Sequence, residues 1–336
     1  MIIISGLIQI RNSVNNATRC KNNYIFKGKI MKNLTKWTFL AFLSSILASF
    51  LISYSFASEE SARFINALSG DKLVGKLKYP VSLFVSKGNN RLYIADTGNN
   101  RLVSYDSELN FRGDFDAGGK LKYPISVVKN NHDQFFVIEG DTNTLVLIDI
   151  SKKIYNPLEI SGVPKKPNPI IPGRLAVDDN DNLYITDRGN GVILVLNQEG
   201  RFIREITYKN KPVDFSDIRV DNKGFVYSLS TLEGKVYIFN NEGEEVSVFG
   251  ARGNRKNEFL FPTSIAVGSD GLVYVLDQHK GTVLVYNVDG KFQFSFSKKG
   301  QSVGNLFYPS YIYADQQGKI YIADRGNDRV QIFQRD

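Results

Sequence analysis

The chain has 336 residues, with 42 lysines and arginines against 34 acids, a single cysteine and two histidines. One cysteine excludes a disulfide framework and a cysteine-built metal cluster. The formal charge of +8 is carried by the front end, because residues 1–57 hold seven bases and no acid; the nearly neutral remainder does not have the basic balance of a nucleic-acid-binding domain.

In chain order, residues 1–30 fit neither a leader nor a domain, and they precede Met31, which opens a well-formed export signal. They read as a start assigned too early or as a short cytoplasmic extension. Lys32 and Lys36 form a basic start, Trp37 to Phe56 is uncharged and largely apolar, and Ser55-Phe56-Ala57 offers small residues for cleavage. Residues 31–57 are therefore expected to be a secretory signal cut after Ala57. The alternative is a retained anchor, since residues 37–56 approach the ~20 residues that span a bilayer. Both place the remainder outside the cytoplasm, in the periplasm, secreted, or anchored facing outward. Cys20 lies ahead of this segment, so residues 58–336 contain no thiol.

From residue 58 onward the chain repeats. Asp96, Glu139, Asp187, Ser230, Asp277 and Asp324 occupy one recurring position, 43 to 48 residues apart. Pro80, Pro124, Pro172, Pro262 and Pro309 stand 15 or 16 residues upstream of five of them, and Phe215 takes that place in the fourth copy. Each copy reads as four short strands separated by Gly, Asn and Asp turns, which is one blade of a β-propeller. The sixth copy ends after its third strand. Phe64 to Gly70 resembles the fourth strands of the other copies, so it is predicted to pair beside the C-terminal strand and close an all-β, six-bladed ring of four-stranded antiparallel blades. Closure removes exposed edges.

The segments KYPVSLFVSKGNNRLYIADTGNNRLVSYD, in the first copy, and FYPSYIYADQQGKIYIADRGNDRVQIF, in the last, resemble the NHL-repeat family. The resemblance covers about residues 63–336. It implies a six-bladed propeller, and a binding or scaffold role of the kind such propellers play. Blade 2 departs with Glu139 and Thr144 where the family has Asp and Arg, blade 3 with Val192, and blade 4 lacks both the Asp and the Pro.

Three residue sets are candidates. The recurring acids read as turn-makers, with Asp96 bonded to Arg101, Asp324 to Arg329, and Glu139, Asp187 and Asp277 in the same role. The residue two after each opening position gives Ser82, Ser126, Arg174, Asp217, Ser264 and Tyr311, a varied set expected near a channel mouth and taken as the ligand site; Arg174 paired with Asp217 as inter-blade glue is the alternative. The loops entering each first strand carry Lys72, Lys76, Lys78, Lys120, Lys122, Lys165, Lys166, Lys209, Lys211, Arg252, Arg255, Lys256, Lys298 and Lys299, and the turns of the opposite face are rich in Asp and Glu. One face should therefore be basic and suited to an anionic partner.

His132 and His279 are predicted on opposite ends of the ring and cannot share a metal. No catalytic residue, metal ligand or cofactor is assigned, with a divalent cation at the channel mouth left open. The expected function is a non-enzymatic binding or scaffold module. A protein or an anionic envelope polymer is the expected partner, and the propeller is expected to be monomeric. A metal-dependent lyase or lactonase over the channel is the alternative, and an RNA-binding propeller is a third reading only if the chain is not exported.

Overall fold

The computed structural model describes residues 62–335. The predicted signal or anchor at 31–57 and the segment 1–30 lie outside them. Among the described residues no helix is long and apolar enough to cross a membrane.

Six four-stranded antiparallel sheets follow one another. Blade 1 is built from Pro80–Val85, Leu92–Asp96, Arg101–Tyr105 and Phe111–Phe115, and the next four blades repeat that order, their first strands being Pro124–Lys129, Pro172–Val177, Phe215–Val220 and Pro262–Val267. Blade 6 takes three strands from the C-terminus, Tyr311–Ala314, Lys319–Asp324 and Arg329–Arg335. Its fourth is Ala62–Leu68, which pairs antiparallel with Arg329–Arg335 in the register Phe64 to Phe333 and Leu68 to Val330. The predicted closing strand is thus present, shifted two residues toward the N-terminus, and a small hairpin of Gly70–Asp71 with Gly75–Lys76 follows it.

A single blade exposes two apolar faces, and the ring buries them pairwise. Each of the six hydrophobic clusters draws on two neighbouring blades. Ile193, Val195, Ile218 and Tyr237 pack blade 3 on blade 4, and Leu83, Ile94, Tyr321 and Ile332 pack blade 6 on blade 1. This is why the central strands read as continuous apolar runs such as VILVL, with every residue buried.

The recurring acids tie each entering loop to its blade. Asp96 accepts hydrogen bonds from the Lys78 amide (2.7 Å), Asn99 Nδ2 (2.8 Å) and Arg101 Nε (2.7 Å). Asp324 does the same with the Phe307 amide, Asn327 and Arg329. Asp187 and Asp277 accept the amides of Ile171 and Leu260, and also those of Gly189 and His279 in the turns that follow them. Glu139, one methylene longer, accepts the Lys122 amide and the Tyr155 hydroxyl, both at 2.7 Å. In blade 4 Asp214 substitutes for the missing acid by accepting from Ser230 Oγ and the Leu232 amide. The donor shared by the other five copies is an amide just before the opening proline, a partner that the turn-maker reading leaves out.

A second recurring tie runs from the turn after the first strand. Asp178, Asp221 and Asp315 cap their own turns and accept the hydroxyls of Tyr184, Tyr227 and Tyr321, six residues on. Burial first, then these carboxylates, push all three phenols up. Tyr105 is pushed up from 10.0 to about 12 by burial and then by Asp71 and Asp96. A raised folded-state pKa means that the unfolded chain releases its proton first, so stability is complete below pH 10 and falls above it, by about 1.4 kcal/mol per pH unit for each phenol. The propeller is therefore expected to hold its melting temperature from neutrality to about pH 10 and then lose it steeply. A calorimetric series that stays flat through pH 12 would contradict these phenol assignments.

Candidate functional site

The first strands line the central channel, and side chains two residues apart share a face. At the position two after each opening residue, the side chain of one blade holds the backbone of the next. Ser82 Oγ accepts the Val127 amide at 3.3 Å, Ser126 Oγ the Leu175 amide at 3.0 Å, Asp217 Oδ2 the Ile265 amide at 2.9 Å and Ser264 Oγ the Ile312 amide at 3.1 Å. Those four side chains are fully buried. They are inter-blade staples in the channel wall. Of the six predicted ligand residues only Tyr311 lines either of the two cavities that open from the channel, and it does so from the floor.

The two remaining positions, with Arg219, plug the channel. Arg174 reaches from blade 3 to the carbonyls of Val81 (3.2 Å) and Ile125, in blades 1 and 2. Arg219 reaches from blade 4 to the Ile312 carbonyl of blade 6 at 2.8 Å, while its other amino nitrogen pairs with Asp217 at 3.0 Å. The Tyr311 ring lies between them, its centroid 5.1 Å from the Arg174 guanidinium and 4.4 Å from that of Arg219. The alternative pairing of Arg174 with Asp217 gives way to a different one: the ion-pair partner of Asp217 is Arg219, two residues along the same strand and on the same face. That alternation was the available signal for Arg219, and it points equally to Tyr313 beside Tyr311.

Burial works against the Arg219 charge, but Asp217 and then Tyr311 outweigh it and hold the guanidinium above its ordinary value. Burial pulls Arg174 down, with Asp217 and Tyr311 offsetting only part of it. Burial likewise pushes the Tyr311 and Tyr313 phenols up. The Tyr313 hydroxyl donates to the Val85 carbonyl at 3.1 Å, a further tie between blades 6 and 1.

Above this floor the channel widens toward the turns that follow the first strands. The opening is a funnel at the end opposite the prolines, away from the loop cations. It has two lobes. The larger, about 740 Å³, runs outward between blades 4 and 5 over Val220, Phe225, Ile238, Val246, Val267 and Val288. The smaller, about 400 Å³, lies between blades 1 and 3. Lys87 and Arg219 border both lobes. Lys87 crosses from blade 1 to pair with Asp179 of blade 3, an exposed contact over the opening. The Arg219 Nε is buried in the floor and has no hydrogen-bond partner.

The predicted channel-mouth donors do not fit a divalent cation. Both Asp217 oxygens are taken by Arg219, Ser264 Oγ and the Ile265 amide, the serines are engaged with backbone amides, and two guanidinium groups stand beside them. Among the described residues no three His, Cys, Asp or Glu side chains are placed to hold a metal. His132 pairs with Asp181 at 2.9 Å at the funnel end, and His279 stacks on Phe261 at the proline end.

The loop cations at the proline end are not uniform. In blades 3 to 5 Lys166, Lys209 and Arg255 pair with Glu205, Glu245 and Glu258. Arg252 donates to the Leu232 carbonyl, and Lys165, Lys211 and Lys256 are exposed. Lys72, Lys76, Lys78, Lys120, Lys122, Lys298 and Lys299 are exposed on the remaining loops.

Residues 308–333 match the family described as NHL repeat, and residues 213–293 match a family described as a 6-bladed beta-propeller. The chain thus carries an NHL repeat in its last blade. No curated protein matches the sequence. A structure titled "Streptogramin B lyase structure" is similar at 13% identity and a TM-score of 0.55, with 76% of this chain and 78% of that one covered. A selenomethionine-substituted virginiamycin B lyase from Staphylococcus aureus is similar at 11% identity and a TM-score of 0.58, covering 82% and 99%. A catalytically inactive form of that lyase with Quinupristin gives 11%, 0.56, 83% and 97%. At these identities the likeness concerns the fold.

Proposed function

We propose that this propeller is a ligand-binding module which takes a compact amphipathic molecule into the funnel, and that it works outside the cytoplasm. The observation that carries the reading is the larger lobe itself, which sets an apolar wall of Val220, Val246, Val267 and Val288 beside the cations Lys87 and Arg219. A ligand's carboxylate or sulfonate would be drawn to the positive charge of Lys87 and Arg219 while its apolar body lies along Val246, Val267 and Val288. A volume of about 740 Å³ is in the range of small-molecule sites. The basic start and apolar run of residues 31–57 support the extracytoplasmic placement.

Binding is favoured over a lyase or lactonase reaction by the state of the funnel's phenols. Burial holds the phenols of Tyr227, Tyr311 and Tyr313 protonated at neutral pH. The rim acids Asp221 and Asp315 are bound to the amides of their own turns. The phenols therefore offer no base at neutral pH.

The test is anilinonaphthalene sulfonate, an apolar body with one anionic group, followed by its fluorescence. Val267→Arg, which fills the lobe from its wall, is expected to weaken binding at least about tenfold, the equivalent of about 1.4 kcal/mol, with little change in melting temperature. Lys120→Glu with Lys122→Glu, at the opposite end, should leave binding unaltered. Equal affinity in the wild type and Val267→Arg would sink the funnel assignment.

A further inference from the structure

The proline end of the ring carries a second surface, independent of the funnel. Tyr79, Tyr123 and Tyr308 each precede an opening proline, in blades 1, 2 and 6, which are adjacent in the ring. Their exposures are nearly equal, 39%, 41% and 39%. All three hold left-handed backbone, with φ of 57°, 42° and 46°. That conformation is unusual for a bulky side chain, and a residue before proline is normally pushed to extended backbone. In two of the three a neighbouring blade holds it: the Tyr79 amide donates to Asp328 Oδ1 at 2.7 Å, and the Tyr123 amide to Asn100 Oδ1 at 2.8 Å. The equivalent residues of blades 3 to 5, Ile171, Asp214 and Phe261, have no positive φ and are half-buried. Strain maintained at one kind of exposed side chain points to a use for that side chain.

Charge is uneven along the same line, although Lys165, Lys211 and Lys256 of blades 3 to 5 are exposed as well. Three loop cations of blades 3 to 5 are neutralised by glutamates. Lys78, Lys122, Lys298, Lys299 and Arg325, beside the tyrosines, form no ion pair among the described residues. Two of them are held by the rings instead: the Arg325 guanidinium lies 4.8 Å from the centroid of Tyr79, and Lys299 Nζ lies 5.3 Å from that of Tyr308. A ring that fixes a cation also orders it for an anion.

We propose that the arc of Tyr308, Tyr79 and Tyr123 binds a linear anionic polysaccharide. Tyr308 and Tyr79 each carry a cation over the ring and Tyr123 follows Lys122 in the chain, so the surface alternates rings with positive charge across three blades. A polymer of anionic sugars presents the complementary repeat, with the apolar face of a sugar against the phenol and its anionic group toward Lys or Arg. Uncompensated cations in three adjacent blades supply the charge complementarity.

The experiment measures binding of polygalacturonate to the chain by calorimetry at low salt. The triple variant Tyr79→Asn, Tyr123→Asn, Tyr308→Asn introduces residues that tolerate left-handed backbone, so it should fold at least as stably as the parent while losing at least about tenfold in affinity, about 1.4 kcal/mol. Lys78→Glu with Lys122→Glu and Lys299→Glu should lose as much, and Lys165→Glu with Lys211→Glu, across the ring, should lose nothing. Failure of polygalacturonate to bind, unchanged affinity in the tyrosine variant, or an equal loss across the ring would each overturn the proposal. Equal binding of poly-glutamate would reassign the arc to an acidic peptide, and tighter binding of single-stranded RNA would reassign it to nucleic acid; both reject the polysaccharide.

Discussion

Removal of residues 58–70 is expected to lower the melting temperature by roughly 10 °C, corresponding to a loss of about 3–5 kcal/mol in a domain of this size, and to make the protein aggregate on concentration. The deletion takes away Ala62–Leu68, the whole fourth strand of blade 6. With it go the edge contact of Phe64 on Phe333, whose ring centroids are 5.9 Å apart, and the buried Leu68. What it exposes matters as much: Arg329–Arg335 becomes an uncovered edge with a row of free amides and carbonyls, a template for pairing with other chains. Ring closure also rests on ties that the deletion spares, such as Ser310 Oγ to the Pro80 carbonyl and Tyr313 to Val85. The blades should therefore remain folded at low temperature while unfolding earlier on heating. Differential scanning calorimetry of both forms checks this, and superimposable curves would mean that the strand does not close the ring.

Arg219→Met is expected to destabilise the propeller by about 3–5 kcal/mol, because it leaves the fully buried Asp217 carboxylate without its counter-charge. Asp217→Ser alone should cost a similar amount, since it strands the guanidinium instead. The double variant should recover most of either loss. Ser82, Ser126 and Ser264 already perform the inter-blade staple with a hydroxyl, so a hydroxyl introduced in place of the Asp217 carboxylate would accept from the Ile265 amide with no charge left to neutralise. Chemical denaturation of the three variants gives the coupling energy directly. A double variant no more stable than the sum of the single losses would mean that Asp217 and Arg219 act separately.

The ring and its closure were legible because they rest on period: one acid and one proline per copy, and a missing fourth strand matched by a spare one near the start. The family departures at Glu139, Val192 and Ser230 did not alter the blades, since Glu139 reaches its loop with a longer arm and Asp214 replaces the acid of blade 4. The channel was legible only in part. Its wall positions were found by counting two from each proline, but burial could not be counted, so residues that hold blades together were read as ligand contacts. Continuing the same alternation by two residues reaches Arg219 and Tyr313. Which end opens depends on where the long side chains of Arg174, Arg219 and Tyr311 cross the channel, and no local pattern encodes that. The charge pairing of the proline end was hidden for a similar reason: Glu205 and Glu245 lie in the fourth strands of blades 3 and 4 and meet Lys166 and Lys209 only once those blades have folded, whereas Glu258 stands three residues from Arg255 in one loop and that pair could have been read.

The funnel is tested most directly by crystals of the propeller soaked with small aryl carboxylates. Density is expected in the lobe between blades 4 and 5, with the ring against Val246, Val267 and Val288 and the carboxylate toward Lys87 and Arg219. An empty lobe with carboxylates gathered at the proline end would contradict it.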